Sequence, residues 1–401
     1  MQGNALIGQS GGPTAVINST LCGLVQQAEK SKNIQNIYGM RYGIEGFMKD
    51  EVSDLGSESP SVIQGLRSTP SSALGSCRYK VQDKDFPLIL DQLKKYNIRY
   101  FFLIGGNDTM DTIHRVEKYC QDNNYELCGI GLPKTVDNDL YGTDHTPGYP
   151  SAARYVALST QQSSRLAADM QRVDRYVIHQ TVGRESGFLA AAAGLAKQHD
   201  SDGPHLIYMP ERKLNKETFI KDATSIIEAN GWVSIICGEG ILWEDGTPVS
   251  ASNTADKFSN IEFGAMGGSS AAMNLHKILS DETGYRGEFQ ITESLSMCGI
   301  DRASKIDLEE AYGCGVKAME LADNNETGIM VTLVRPTEGP YKTNYGTAPL
   351  MDVAVKAKPM PDEFINEAGN FVTPAFIDYL KPLVGDLGTF SVLQHQAAKA
   401  Q

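Results

Sequence analysis

The chain has 401 residues, enough for two or three packed domains, with 36 Lys and Arg against 49 Asp and Glu and a formal net charge of −13. That balance argues against a general nucleic-acid or membrane-surface role, and no apolar stretch approaches the roughly twenty residues of a membrane helix. Seven Cys without a C-x-x-C pair, and a start that lacks the pattern of an export signal, predict a cytoplasmic protein with reduced thiols.

Residues 4–8 read as a first strand, broken by Gly11-Gly12-Pro13 and followed by helical periodicity over 15–30 (Val16, Leu21, Leu24, Val25, Ala28). Residues 99–104 form an apolar run of strand length, stopped by Gly105-Gly106. A helix then starts at Asp108 or Thr109 and runs to 123, its acidic first turn suited to the helix dipole. Strand 127–132 ends at Pro133, and a long Ala-rich helix follows at 151–172. Beyond it the pattern predicts strand 175–180, helix 186–198, strand 205–209, helix 215–230 and strand 232–237. This alternation predicts α/β domains built on parallel sheets.

A Gly- and Pro-rich break at 141–150 separates a first domain, 1–145, from a second, 146–310. Residues 311–401 are expected to pack back on the body, and after about Gly339, with prolines at 340, 349, 359, 361 and 374, they read as an irregular extension. Polar stretches at 53–76 and 243–260 read as loops. Gly313-x-Gly315-x-x-Ala318 has the look of a dinucleotide fingerprint, but no strand precedes it.

Three strand-to-helix turns carry glycines: Ser10-Gly11-Gly12, Gly105-Gly106-Asn107-Asp108-Thr109 and Gly183-Arg184-Glu185-Ser186-Gly187. Glycine lets backbone N–H groups approach an anion, and a helix N-terminus adds favourable field. One such turn says little, whereas three in one α/β chain point to phosphate binding. No Walker-type G-x-x-x-x-G-K-[ST] is present. The heptad Pro133-Lys134-Thr135-Val136-Asp137-Asn138-Asp139 puts a cation, a hydroxyl and two carboxylates directly after a strand. A carboxylate there can take a proton from an attacking hydroxyl, and a lysine can neutralise the group in flight. A capped turn with solvated carboxylates explains the same residues, and the heptad alone leaves both readings open.

Taken in order, Gly11-Gly12 with Asn18, Leu74-Gly75-Ser76-Cys77-Arg78, Gly105–Thr109, Pro133–Asp139, Arg175, Val182-Gly183-Arg184 and Gly238-Glu239-Gly240 make the sequence resemble the phosphofructokinase family. The resemblance implies two Rossmann-like α/β domains with the site in the cleft between them. It also implies phosphoryl transfer to the 1-hydroxyl of fructose 6-phosphate. ATP-using members resemble G-G-D-G and P-G-T-[IV]-D; Asp108 and Lys134 here match the pyrophosphate-using branch. A carboxylate at Asp108 occupies the berth of a nucleotide α-phosphate. Two like charges about 4 Å apart then repel by about 4 kcal/mol at an effective dielectric of 20.

By the same resemblance Asp137 is the general base, Arg184 stabilises the transition state, and Lys134 and Asp108 act beside them. The donor is held by Gly11, Gly12, Arg78, Gly106, Asp108, Thr109 and Lys134. The acceptor is held by Thr135, Asp137, Val182, Gly183, Arg184 and Glu239, and Arg175 reaches the sugar phosphate of a neighbouring subunit, which implies a homodimer or homotetramer. Mg²⁺ is expected, with Asn107 and Asp108 toward the metal. The substrates are diphosphate and a sugar phosphate, with no nucleic acid and no membrane as partner.

Two departures stand out. Asn107 replaces a carboxylate usual in the family. The basic H-I-Q-R-like clamp for the sugar 6-phosphate falls on Ser294-Leu295-Ser296-Met297, without a cation; Tyr285, Arg286 and Arg302 are the nearby residues that could replace it. Three rivals follow: the same catalyst with another acceptor, such as sedoheptulose 7-phosphate or an unphosphorylated polyol, a catalytically silent sugar-phosphate-binding subunit, and an ATP-using lipid or NAD kinase. Asp137, Lys134 and Arg184 together argue against the silent subunit, and the remaining motifs do not fit the third. His145 is read as a neighbour of the site, His114 as a helix-face residue, and Cys298 and Cys314 as buried thiols. Met209-Pro210-Glu211-Arg212 is read as touching the sugar or capping a helix.

Overall fold

The computed structural model describes residues 1–250, 268–391 and 393; the 251–260 part of the second loop expectation lies outside them. Eleven strands among the described residues form two sheets. They are β1 (Gly3–Gln9), β2 (Ile34–Met40), β3 (Val52–Asp54), β4 (Ile98–Gly105), β5 (Cys128–Pro133), β6 (Tyr176–Thr181), β7 (Leu206–Tyr208), β8 (Val233–Gly238), β9 (Gly287–Ile291), β10 (Ile329–Val334) and β11 (Asn344–Pro349).

The first sheet runs β11-β10-β5-β4-β1-β2-β3, parallel through its centre with an antiparallel strand at each edge. Its strands alternate faces with period two. Ala5, Ile7, Tyr100, Phe102 and Ile104 join one core, under the helices Ile17–Ala28 and Lys305–Asp323. Leu6, Phe101 and Leu103 join the other, under Phe86–Lys95 and Asn107–Asp122. Burial on both faces is why β4 reads as an unbroken apolar run. The second sheet, β7-β8-β6-β9, is parallel throughout and reached through the long helix Tyr149–Met170.

The C-terminal third departs from the expected irregular extension. After β9 the chain returns to the first sheet: Lys305–Asp323 packs along Ile17–Ala28, and β10 pairs with β5. The Gly313–Ala318 pattern lies inside this helix and serves its packing. A Cβ at Gly315 would run into Thr20 O, and one at Gly23 into Tyr312 O. Close helix contact, and no nucleotide turn, is what those glycines provide. Residues 350–384 then cross to the second half, where Pro374–Val384 joins the core of Tyr149–Met170 and Phe188–Ala192.

Candidate active site

The glycine turns and the heptad all fall at carboxyl ends of parallel strands. β1 leads into Gly11-Gly12, β4 into Gly106, β5 into Lys134, β6 into Val182-Gly183 and β8 into Glu239. Chain order reverses between β1 and β4, and such switch points open a crevice where ligands bind.

Gly11 takes φ +76°, which favours glycine, and Ser76 Oγ donates to its carbonyl at 2.6 Å. Lys134 crosses beneath this turn and donates from Nζ to Gly12 O at 2.9 Å. A Cβ at Gly11 would lie 3.1 Å from that Nζ, so the glycine makes room for the ammonium. Lys134 is buried, and burial lowers its pKa to about 8 against the opposing pull of Asp137 and Asp139.

Asp137 sits half-buried beyond it. Thr135 Oγ1 accepts its N–H at 3.1 Å, and Ser186 Oγ, from the second half, donates to its carbonyl at 2.7 Å. Among the described residues nothing donates to its carboxylate. Burial, then the negative charges of Asp139 and Glu239, push Asp137 up to about 7, while Lys134 and Arg184 resist. A carboxyl group held near neutrality thus adjoins a buried ammonium.

Gly183 lies at φ +122°, and its N–H donates to Glu239 Oε1 at 3.2 Å. Arg184 and Arg78 are exposed and form no ion pair among the described residues. Thr109 is buried where the Asn107–Asp122 helix begins, and a Cβ at Gly105 would collide with its side chain. Glu211 Oε1 accepts the Gly187 N–H at 2.8 Å, whereas its buried Oε2 has no hydrogen-bond partner among the described residues.

Other expected residues are placed differently. The Asp108 side chain is 76% exposed and paired with Lys80 at 3.2 Å, a partner that sequence reasoning missed. Asn107 turns its amide away to donate to Val353 O and Lys356 O at 2.9 and 3.1 Å. Arg175 precedes β6 and donates to Gly231 O at 2.8 Å, while Tyr285 and Arg286 precede β9. All three lie at the amino ends of their strands, and the six residues of β6, about 20 Å at roughly 3.3 Å per residue, separate Arg175 from the Val182-Gly183 turn. Arg302 donates to Ser159 and stacks over Tyr155. None of the expected substitutes brings a cation to Asp137 within one chain. Met297, from the clamp counterpart, packs beside Gly12.

His145 is buried, with Nδ1 2.7 Å from Asp144 and Nε2 2.6 Å from Glu310. Burial works against its charge, but the two carboxylates outweigh it and raise its pKa. Its two hydrogen bonds tie the loop after Asp137 to the Lys305–Asp323 helix. The seven cysteines are free, and Cys298 and Cys314 make no disulfide.

The phosphofructokinase model matches residues 4–322, which contain every motif above. The chain belongs to the phosphofructokinase family. A pyrophosphate–fructose 6-phosphate 1-phosphotransferase of Rhodospirillum rubrum is 37% identical, over 96% of this chain and 95% of that protein. The sulfofructose kinase of Alkalicoccus urumqiensis is 32% identical, over 90% and 91%. The crystal structure of a pyrophosphate-dependent phosphofructokinase from Nitrosospira multiformis superposes with a TM-score of 0.88 at 33% identity, covering 99% of this chain and 95% of that one. This family's fold is two α/β halves around a cleft, as found here.

Proposed function

We propose that this chain is a pyrophosphate-dependent phosphofructokinase, transferring a phosphoryl group reversibly between diphosphate and the 1-hydroxyl of fructose 6-phosphate. The observation that carries the reading is the pairing at the cleft floor: Asp137, raised to about 7, beside the Lys134 ammonium that is fixed under Gly11-Gly12.

The Gly11, Gly12 and Gly106 backbone, Thr109 and Arg78 receive the donor, and Asp137 takes the proton of the attacking hydroxyl. Lys134 and Arg184 stabilise charge on the transferring group from two sides. Thr135, Val182, Gly183 and Glu239 orient the sugar. Among the described residues no three His, Cys, Asp or Glu side chains form a metal cage. The donor set suits Mg²⁺, which takes one or two carboxylates and relies on substrate phosphates for the rest. Asp108, and the side-chain oxygen of Asn107, would hold it, and the ion would neutralise phosphate charge. Among the described residues none of the expected substitutes offers a cation to the far phosphate of the sugar, which fits a homodimer or homotetramer in which Arg175, with Tyr285 and Arg286, serves the neighbour's site. The described helices include none long and apolar enough to cross a membrane, and a cytoplasmic location fits the free thiols.

The missing in-chain clamp also favours a second reading, the same chemistry on a differently substituted ketose. Initial rates with diphosphate and with ATP, each against fructose 6-phosphate, sedoheptulose 7-phosphate and a neutral polyol, separate the readings. Diphosphate with fructose 6-phosphate is expected to be fastest; faster turnover with another acceptor overturns the substrate assignment.

A further inference from the structure

Residues 353–358 run between the two turns that carry the reacting groups. At one end Asn107, next to Asp108, donates to Val353 O and Lys356 O. At the other, Ala357 bridges to Leu140, and the Lys358 N–H donates to Asp139 O at 2.7 Å. The Lys358 side chain then reaches under the loop. Its Nζ lies 2.7 Å from Asp144 O, 3.3 Å from Thr143 O and 3.4 Å from Asn138 Oδ1.

Only a donor-rich group suits this place. The converging atoms are all acceptors, and an ammonium offers three donors. What it grips is a loop in an uncommon conformation: Asn138, directly after Asp137, has φ 58°. The Asn138 side chain is held on every side. Its Oδ1 accepts from Thr146 N–H at 3.1 Å, and its Nδ2 donates to Tyr379 OH at 2.9 Å. Tyr379 OH in turn donates to Asp144 O at 3.0 Å.

We propose that Lys358 is a positioning residue for phosphoryl transfer: carried on a strap pinned by Asn107, it fixes the backbone after Asp137 so that the base faces the donor turn. This rests on Asp137 being the base. It also gives Asn107 a reason of its own. An aspartate there would lose the donor and set a carboxylate against two carbonyl oxygens.

The full-length chain carries the test, through Lys358→Met, Lys358→Arg, Asn107→Asp and Asp137→Asn measured for kcat and for the KM of each substrate. Misplacement of a reacting group by about 1 Å lowers turnover by up to about a hundredfold. Lys358→Met is therefore expected to lower kcat about 10- to 100-fold with both KM values within about threefold. Lys358→Arg, which keeps the charge and donors, should recover most of it, and Asn107→Asp should fall like Lys358→Met. Unchanged kcat in Lys358→Met, a loss confined to KM, or an arginine variant as slow as the methionine one overturns the proposal. If Lys358→Met does not fold, Asn107→Asp decides, and unchanged kcat there is the overturning result. Turnover surviving in Asp137→Asn removes the base, and the strap proposal with it. Its loss there, beside an unaltered Lys358→Met, removes the strap alone.

Discussion

On the proposed function, Asp137 and Lys134 need opposite protonation states to work. The base must be ionised, so activity falls as pH drops through about 7, and the ammonium must be charged, so activity falls again as pH rises through about 8. The kcat/KM profile of the free enzyme is therefore expected to be a narrow bell between those limbs. Asp137→Ala should lower turnover by about 10²–10⁴ and erase the acidic limb; near-normal rates, or a retained limb, would remove it from the mechanism. Asp108 is a different case. Its exposure and its pairing with Lys80 put it in nearly aqueous surroundings, where a like charge about 4 Å away repels by only about 1 kcal/mol. On the proposed function, Asp108 would then act against a nucleotide more through the space its side chain fills than through charge. Asp108→Gly should bring ATP binding that calorimetry can detect; a blank titration would place the gate elsewhere.

At the scale of elements, the parts legible in the sequence are those where one local rule acts. β4 and β5 end in Gly105 and Pro133, and the helix between them carries clean periodicity, so 98–133 could be read almost to the residue. The heptad stood out because chemistry-bearing side chains follow a strand at once. What stayed illegible depends on partners far away in the chain. β10 is a strand because β5 leaves it an open edge, and Lys358 matters because residues some 220 positions earlier offer it acceptors. The packing role of the Gly313–Ala318 pattern was illegible for the same reason, since its glycines answer to a helix near the N-terminus. Gly315→Ala should force the Lys305–Asp323 and Ile17–Ala28 helices apart and destabilise the fold by about 1–3 kcal/mol. Thermal unfolding checks this, and an unchanged melting temperature would contradict the close packing.

For the whole molecule, the proposed function gives the two ends of the second sheet separate duties. Its carboxyl ends face Asp137, while its amino ends present Arg175 and Arg286, too distant to serve the same cleft. If these arginines serve a neighbouring subunit, Arg175→Ala and Asp137→Ala are each impaired alone. Co-expressed, they should regain part of the activity, because a mixed assembly contains one site with both residues intact. Failure to complement, in an assembly shown to contain both chains, would confine Arg175 to its own subunit. The return of the chain to its first sheet has a further effect, felt before the enzyme ever meets substrate. β5 must wait for β10, and at about 5–20 residues per second the ribosome needs roughly 10–40 s to deliver it. Throughout that interval the nascent protein shows an unprotected strand margin to the crowded cell. Its yield is therefore governed by chaperone supply and elongation speed as well as by the stability of the finished product.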